Sequence, residues 1–323
     1  MNTELCISII IPTYNREKCI LELLQSLFKQ DYKNYEIIII DQSDQLSEEK
    51  KSFINAHENK FKYFHIDERG RSLAKNYGIL QAKGDIILFC DDDIIPPYNF
   101  LSTHVKHYLN EKIGAVSCRL VEEGDKEVYV RIPLKTTFYG RLINKPYSTN
   151  SNFVTSLNGG NMSIRKAALD KSGFFEEYFE GTSMVEEPDI AYRVLMNGYK
   201  IYFDSSITVM HFPQVNGNLA YINTKRAEWF YYYYFNLLIF FIKYGRFKNL
   251  PFVFIYSILL SAKQVLKYKM PLNSYLKMQS GFFSGLKKGF RLYKEQKGKL
   301  YYTSCRHNKK TIVEISFTKT WKN

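Results

Sequence analysis

Several features that would settle the class of this chain at once are missing from its 323 residues. No GxGxxG follows the first strand-like run, which disfavours a dinucleotide dehydrogenase. The five cysteines (Cys6, Cys19, Cys90, Cys118, Cys305) lack metal-type spacing, and an odd, unpatterned set fits a reducing compartment. Cys6 and Cys90 lie in apolar runs, where Cys is usually a small buried hydrophobe. The amino terminus carries no basic stretch followed by a signal-type apolar segment, so the expected location is the cytoplasm. No low-complexity tract argues for disorder. Acidic residues are scarce late in the chain. Residues 191–323 hold 22 Lys/Arg but only Asp204, Glu228, Glu295 and Glu314, whereas residues 1–190 hold 23 Lys/Arg against 28 Asp/Glu. A basic tail can serve nucleic acid, anionic lipid or an anionic substrate. Apolar runs of membrane-spanning length are absent too: RAEWFYYYYFNLLIFFIKYGR and LPFVFIYSILLSAK contain apolar segments of 14 or fewer residues between basic flanks. Both fall short of the ~20 residues of a spanning helix. They read either as core-packing helices or as helices in a membrane interface. GFFSGLKKGFRLYK, with Phe282, Phe283, Leu286 and Phe290 against Lys287, Lys288 and Arg291, favours the interface, and the long apolar runs argue against nucleic acid.

What is present is an alternation of short apolar runs with amphipathic stretches over the first 120 residues. Strands are expected at 6–13, 35–41, 61–66, 86–90 and 112–118, with helices at 17–30, 46–57 and 72–82. This order implies right-handed crossovers and an α/β fold with a mostly parallel sheet, helices on both faces. Residues 121–157 are short Gly/Pro-punctuated pieces, read as a partly ordered loop. A helix is expected from Pro188 to about Met196, ended by Asn197-Gly198, then a strand at 199–204.

The most informative stretch is IILFCDDDIIPP, residues 86–97. An apolar strand empties into Asp91, Asp92 and Asp93. Three carboxylates at a buried strand end repel one another unless a cation sits among them. Magnesium or manganese carrying phosphate oxygens suits such ligands, and open parallel sheets bind ligands at the strands' carboxyl ends. Further polar groups follow other strands: Pro12-Thr13-Tyr14-Asn15-Arg16, Asp41-Gln42-Ser43-Asp44, and Arg69-Gly70-Arg71-Ser72 leading into Leu73-Ala74-Lys75-Asn76. Together these would line one crevice.

The order SIIIPTYNR, IIIIDQSD, RGRSLAKNYGI, FCDDDIIPP, NGGNMSIRKAAL, EEPDIAYRVLMNGY resembles glycosyltransferase family 2 of the surface-polysaccharide type, over residues 7 to about 212. The resemblance implies a GT-A catalytic domain at 1–215, followed by a helical, basic and aromatic region at 216–323. It implies a metal-dependent inverting transfer from a nucleotide-diphosphate sugar, UDP-sugar favoured, to a glycan or lipid-linked acceptor. Pro12, Thr13, Tyr14 and Asn15 would border the nucleotide, Asp41 and Gln42 its uracil or ribose, and Arg71 and Asn76 base and ribose. Asp91 and Asp93 match the family's Asp-x-Asp and, with His211, would hold Mn2+ or Mg2+; Asp92 would be solvated or lie behind them. Gly159 and Gly160 would let backbone approach the donor sugar and acceptor. Glu187 is the expected base, at the helix mouth before Pro188, with Glu186 the alternative, and Asp189 counts with them in the catalytic set, paired to Arg193 four residues on and orienting the segment. Two departures stand out. Gln42 occupies a position where the family more often has Asp, which opens the choice of base, and Glu187 is one methylene longer than the family's usual Asp.

Nucleotidyl transfer shares the sheet and metal logic, but PTYNREK lacks the glycines its loop needs. A catalytically inactive GT-A binding protein is the non-enzymatic alternative. The expected location is the cytoplasmic face of a membrane, with peripheral contact.

Overall fold

The computed structural model of the protein describes residues 4–181, 184–212 and 225–295. Of the C-terminal region, 216–224 and 296–323, with Cys305 and Glu314, lie outside the described residues. The first half is built as the alternation predicts: β1 (Ile7–Thr13), α1 (Glu17–Leu27), β2 (Tyr35–Asp41), α2 (Glu48–Ala56), β3 (Lys62–His65), α3 (Arg71–Gln81) and β4 (Ile86–Cys90). β1 pairs in parallel with both β2 and β4, and β2 with β3. The middles of these strands are apolar because both faces are covered. Ile7, Ile9 and Ile11 of β1 pack with Ile20, Leu23, Leu24 and Leu27 of α1, and Ile10 packs with Leu73, Ala74 and Tyr77 of α3 on the other side.

β5 (Ile94–Ile95), α4 (Phe100–His107) and β6 (Ile113–Val121) follow, then β7 (Leu134–Thr136), β8 (Leu142–Asn144), β9 (Asn152–Val154) and β10 (Asn161–Arg165). Next come α5 (Lys166–Ser172), α6 (Glu186–Met196) and β11 (Lys200–His211). The sheet runs β3-β2-β1-β4-β10-β6-β11-β5, with β9 on β11. β10 is antiparallel to β4 and β6, so the parallel order of β3-β2-β1-β4 reverses beside the Asp cluster; β5 and β9 are also antiparallel to β11. The stretch 121–157 is therefore more ordered than its punctuation suggests, since β7 and β8 form a hairpin-like pair and β9 joins the main sheet. Strands of three residues are too short to show a period of two. The strand expected at 199–204 continues to His211 through a bulge at Asp204–Thr208.

The chain closes with α7 (Arg226–Lys243), α8 (Leu250–Tyr268) and α9 (Leu272–Glu295). α7 is a core helix. Its Phe230, Tyr233, Leu237 and Phe240 share an apolar cluster with Tyr178, Phe179 and Val185 from the first part of the chain. α9 lies close along it, because a Cβ at Gly281 would meet the Tyr231 carbonyl oxygen at 2.2 Å and one at Gly285 the Phe235 oxygen at 2.5 Å. α8 differs from its expectation. Phe247–Tyr268 forms 22 helical residues, within which an 18-residue stretch has mean hydropathy 1.4 and is only 17% buried, long and apolar enough by length and composition to cross a membrane. Counting apolar residues between basic flanks misses this because Lys263 ends the run without ending the helix.

Candidate active site

A cleft of about 950 Å³ opens where the carboxyl ends of β1, β2 and β4 meet the loop before β10 and the start of α6. Its floor is the Asp cluster. Arg16, from the turn after β1, donates to Asp92 Oδ1 at 2.8 Å and Asp93 Oδ2 at 2.7 Å. Thr13 Oγ1 donates to Asp92 Oδ2 at 2.7 Å. Asp92 is therefore buried and doubly bonded rather than solvated, and burial pushes its carboxyl up to about 6 despite Arg16.

Ligand atoms of Asp91, Asp93 and His211 lie within 4.8 Å of one another. Asp93 Oδ1 is buried without a hydrogen bond of its own among the described residues, and faces His211 Nε2 at 3.3 Å. Burial disfavours the imidazolium, but Asp93, Asp91 and Glu122 outweigh it and push His211 up to about 9. Two carboxylates and an imidazole with an unsatisfied buried oxygen fit a hard divalent cation, which would replace the imidazole proton as their counter-charge.

Opposite stands the start of α6. The helix begins at Glu186, two residues earlier than Pro188 suggests, so Glu186, Glu187 and Asp189 all lie in its first turn. Their fates differ. Glu186 is fully buried, accepting from Lys75 Nζ at 2.6 Å and Ser72 Oγ at 2.5 Å. Asp189 points the other way, bonded to Arg193 at 2.7 Å, Lys243 at 3.0 Å and Tyr244 at 2.8 Å. It anchors α7 and takes no part in the cleft. Glu187 alone of the three lines the cleft, 3.7 Å from Lys75 Nζ. Burial pushes its carboxyl up to about 7, with Lys75 and Arg71 opposing and Glu186 adding to the rise.

The two glycines of the loop before β10 make room for these carboxylates. A Cβ on Gly159 would meet Glu187 Oε1 at 2.3 Å, and one on Gly160 would meet Leu120 at 2.9 Å and Asp91 Oδ2 at 3.5 Å. Gly160 also accepts from the Asp91 amide at 3.1 Å.

Of the expected nucleotide contacts, Pro12, Thr13, Tyr14, Asn15, Gln42 and Arg71 line the cleft. Two do not. Asp41 is fully buried behind the strand end, held by Lys50 at 2.5 Å, Tyr63 at 2.6 Å and the Ser43 amide at 2.8 Å. Lys50 from α2 neutralises it, and its carboxyl stays below the usual range although burial opposes this. Asn76 is likewise buried, its amide bridging the Phe175 backbone at 2.8 and 2.9 Å, a structural tie. Gln42 uses its amide nitrogen on the Glu68 carbonyl at 2.5 Å, fixing the Arg69–Gly70 loop against β2.

Three roles escape a reading of the sequence, although Arg16 and Lys75 already stand among its crevice groups. Arg16 sits in the turn after β1 but looks like an ordinary turn charge. Lys75 could be inferred from three neighbouring acids that need a counter-charge. The aromatic wall of Trp229, Phe230, Tyr233 and Tyr256 comes from α7 and α8 and carries no motif.

The glycosyl transferase family 2 pattern matches residues 8–173. A GalNAc(5)-diNAcBac-PP-undecaprenol beta-1,3-glucosyltransferase of Campylobacter jejuni is 28% identical over 218 residues, 63% of this chain and 67% of that protein. An uncharacterized glycosyltransferase of Rickettsia conorii is 36% identical over 122 residues, 33% of this chain. That match spans 20% of the Rickettsia protein, and the match to a second one, from Rickettsia felis, also spans 20%. Among solved structures, Staphylococcus aureus TarS 1–349 with UDP-GlcNAc superposes with TM-score 0.60 at 17% identity, over 87% of this chain and 81% of that one. A mannosyltransferase from Pyrobaculum calidifontis with GDP-Man and Mn2+ gives 0.56 at 17%, over 90% and 88%. At such identities the likeness speaks for the fold, which is GT-A. The pattern covers just over half of the chain, and the protein belongs to glycosyl transferase family 2.

Proposed function

We propose that the protein moves a sugar, with inversion, from a nucleoside-diphosphate donor to a hydroxyl of a glycan acceptor in surface-polysaccharide assembly, using Glu187 as base. The observation that carries this reading is the division of labour in the first turn of α6. Two of three acids are buried in ion pairs, and the third faces the cleft with its carboxyl raised to about 7. A base poised near neutral pH has the best compromise between being ionised and being able to take a proton.

Asp91, Asp93 and His211 would hold Mn2+ or Mg2+. When bound, the cation would neutralise charge building on the departing diphosphate. The chain's own groups do the rest. Arg16 holds Asp92 and Asp93 in place, so the cluster need not reorganise when donor arrives. Tyr14, Gln42 and Arg71 border the nucleotide. The Gly159 backbone lies against Glu187, which takes the acceptor hydroxyl proton while Lys75 keeps the carboxylate aimed into the cleft. Attack from the face opposite the diphosphate inverts the anomeric centre.

The acceptor we propose is lipid-linked and met at the cytoplasmic face of a membrane; its lipid linkage is supported by the Campylobacter relative, whose name specifies an undecaprenol-diphosphate-linked acceptor. UDP remains the favoured nucleotide. The solved neighbours bind both GDP-Man and UDP-GlcNAc, so Gln42 is the residue to test. Glu187→Gln tests the proposal: a loss of turnover with donor binding kept supports it, and unchanged turnover refutes it.

A further inference from the structure

α8 presents three different faces. Val253, Ser257 and Ser261 are buried against α7 and α9, where the serines bond Tyr234 and Gln279. Tyr256 and Leu260 line the cleft. Phe252, Ile255, Leu259 and Leu266 form a third stripe at helical spacing, between 51% and 80% exposed. α9 has a matching stripe, Leu272, Leu276, Phe283 and Phe290, between 38% and 71% exposed. Eight large apolar side chains on adjacent helices exceed the scatter of single exposed hydrophobics that a soluble surface tolerates.

The charge around these stripes has one sign. Residues 250–295 contain eight Lys/Arg and a single acid, Glu295. Lys263 lies on the same face as Leu259 and Leu266, and Lys287 and Lys294 flank Phe283 and Phe290 on α9. Apolar stripes bordered by lysines whose stems can lie along them are the signature of a helix resting in the headgroup region of an anionic bilayer. α8 is long enough to span, but its contacts forbid it. A helix that packs three residues against α7 and α9 and gives two to an aqueous cleft cannot be surrounded by lipid.

We propose that the outward faces of α8 and α9 form a docking surface for an anionic lipid bilayer, both helices lying in its plane. Because α8 also forms one rim of the cleft, a membrane-anchored acceptor would reach Glu187 along its Tyr256–Leu260 side. The acceptor route rests on the transferase reading, whereas the surface does not.

The test is flotation of the full chain with vesicles of phosphatidylcholine alone and of phosphatidylcholine with phosphatidylglycerol, without nucleotide or metal. The protein should float with the anionic vesicles, less so as salt rises. Ile255→Glu/Leu259→Glu should weaken that binding at least about tenfold, since two exposed apolar side chains leave the lipid. Lys287→Glu/Lys294→Glu should weaken it and flatten the salt dependence. Stabilisation by nucleoside diphosphate, measured on the same variants, reports that they fold and keep the cleft. No flotation of the parent protein, or equal flotation of the apolar variant, overturns the proposal. So does a parent dimer that the apolar variant converts to monomer while vesicles are ignored, because a second copy would then be what covers the face. Failure of the transferase reading would appear in turnover of Glu187→Gln and leave flotation unchanged.

Discussion

Replacing Glu187 by Gln should make the protein both slower and more stable, and both effects follow from the same carboxyl. In the folded protein burial, opposed by Lys75 and Arg71 and reinforced by Glu186, raises it from 4.5 to about 7. A folded carboxyl that holds its proton more tightly than the unfolded chain loses stability as pH rises through that window. The difference of about 2.5 pH units corresponds to up to about 3 kcal/mol, fully developed above pH ~7 and absent below pH ~4.5. Gln carries no charge, so the variant escapes this penalty, and Lys75 keeps its 2.6 Å partner Glu186. Denaturant unfolding at pH 4.5 and at pH 8 reads the prediction: near-equal stability at the lower pH and a gain for Glu187→Gln at the higher. In parallel, turnover should fall ~10²–10⁴-fold with donor affinity within about twofold, because the lost group acts on the acceptor proton. Wild-type turnover should rise with pH through about 7, and the variant should lack that limb. A variant with full turnover, or one whose stability tracks wild type across the pH range, refutes the reasoning.

Other perturbations have equally definite outcomes. Gly159→Ala places a Cβ 2.3 Å from Glu187 Oε1; it should reduce turnover at least about tenfold by displacing the base, with nucleotide affinity retained by calorimetry. Lys75→Met leaves Glu186 buried without its ammonium and should cost about 3–5 kcal/mol in denaturant unfolding, while Lys75→Met/Glu186→Gln should recover most of it. Arg16→Ala removes the cation shared by Asp92 and Asp93; nucleotide affinity without metal should fall, and the concentration of Mn2+ needed for half-maximal activity should change. Asp41→Asn should act on stability through Lys50 rather than on donor affinity, and a specific loss of nucleotide binding would return Asp41 to the site.

The sheet is legible because buried parallel strands are continuous apolar runs with amphipathic helices between them. The Asp91–Asp93 cluster is legible for a related reason, since carboxylates at the end of such a run need a partner. Legibility ends where a residue's meaning depends on where it faces. Asp41 ends β2 much as Asp91 follows β4, yet it meets Lys50, nine positions away and buried, instead of the cleft. Glu186, Glu187 and Asp189 share one helical turn and point to Lys75, the cleft and Lys243 respectively. The hundred-degree step between helical residues separates them, and only the neighbours decide which is which. Contacts between the first part of the chain and the C-terminal helices are hidden for the same reason. Lys243 reaches Glu176 at 2.5 Å, and α7 supplies aromatic side chains to the cleft wall, long-range contacts that leave no local pattern.

The most direct test of the account is thermal stabilisation of the protein by a panel of nucleoside diphosphates, with and without Mn2+, beside the Asp91→Ala/Asp93→Ala double variant. Stabilisation by one nucleotide that requires Mn2+ and vanishes in the double variant is the predicted result, and it would also show which base Gln42 accepts. A well-folded protein that no nucleotide stabilises, or one stabilised equally after both carboxylates are removed, would contradict the transferase site.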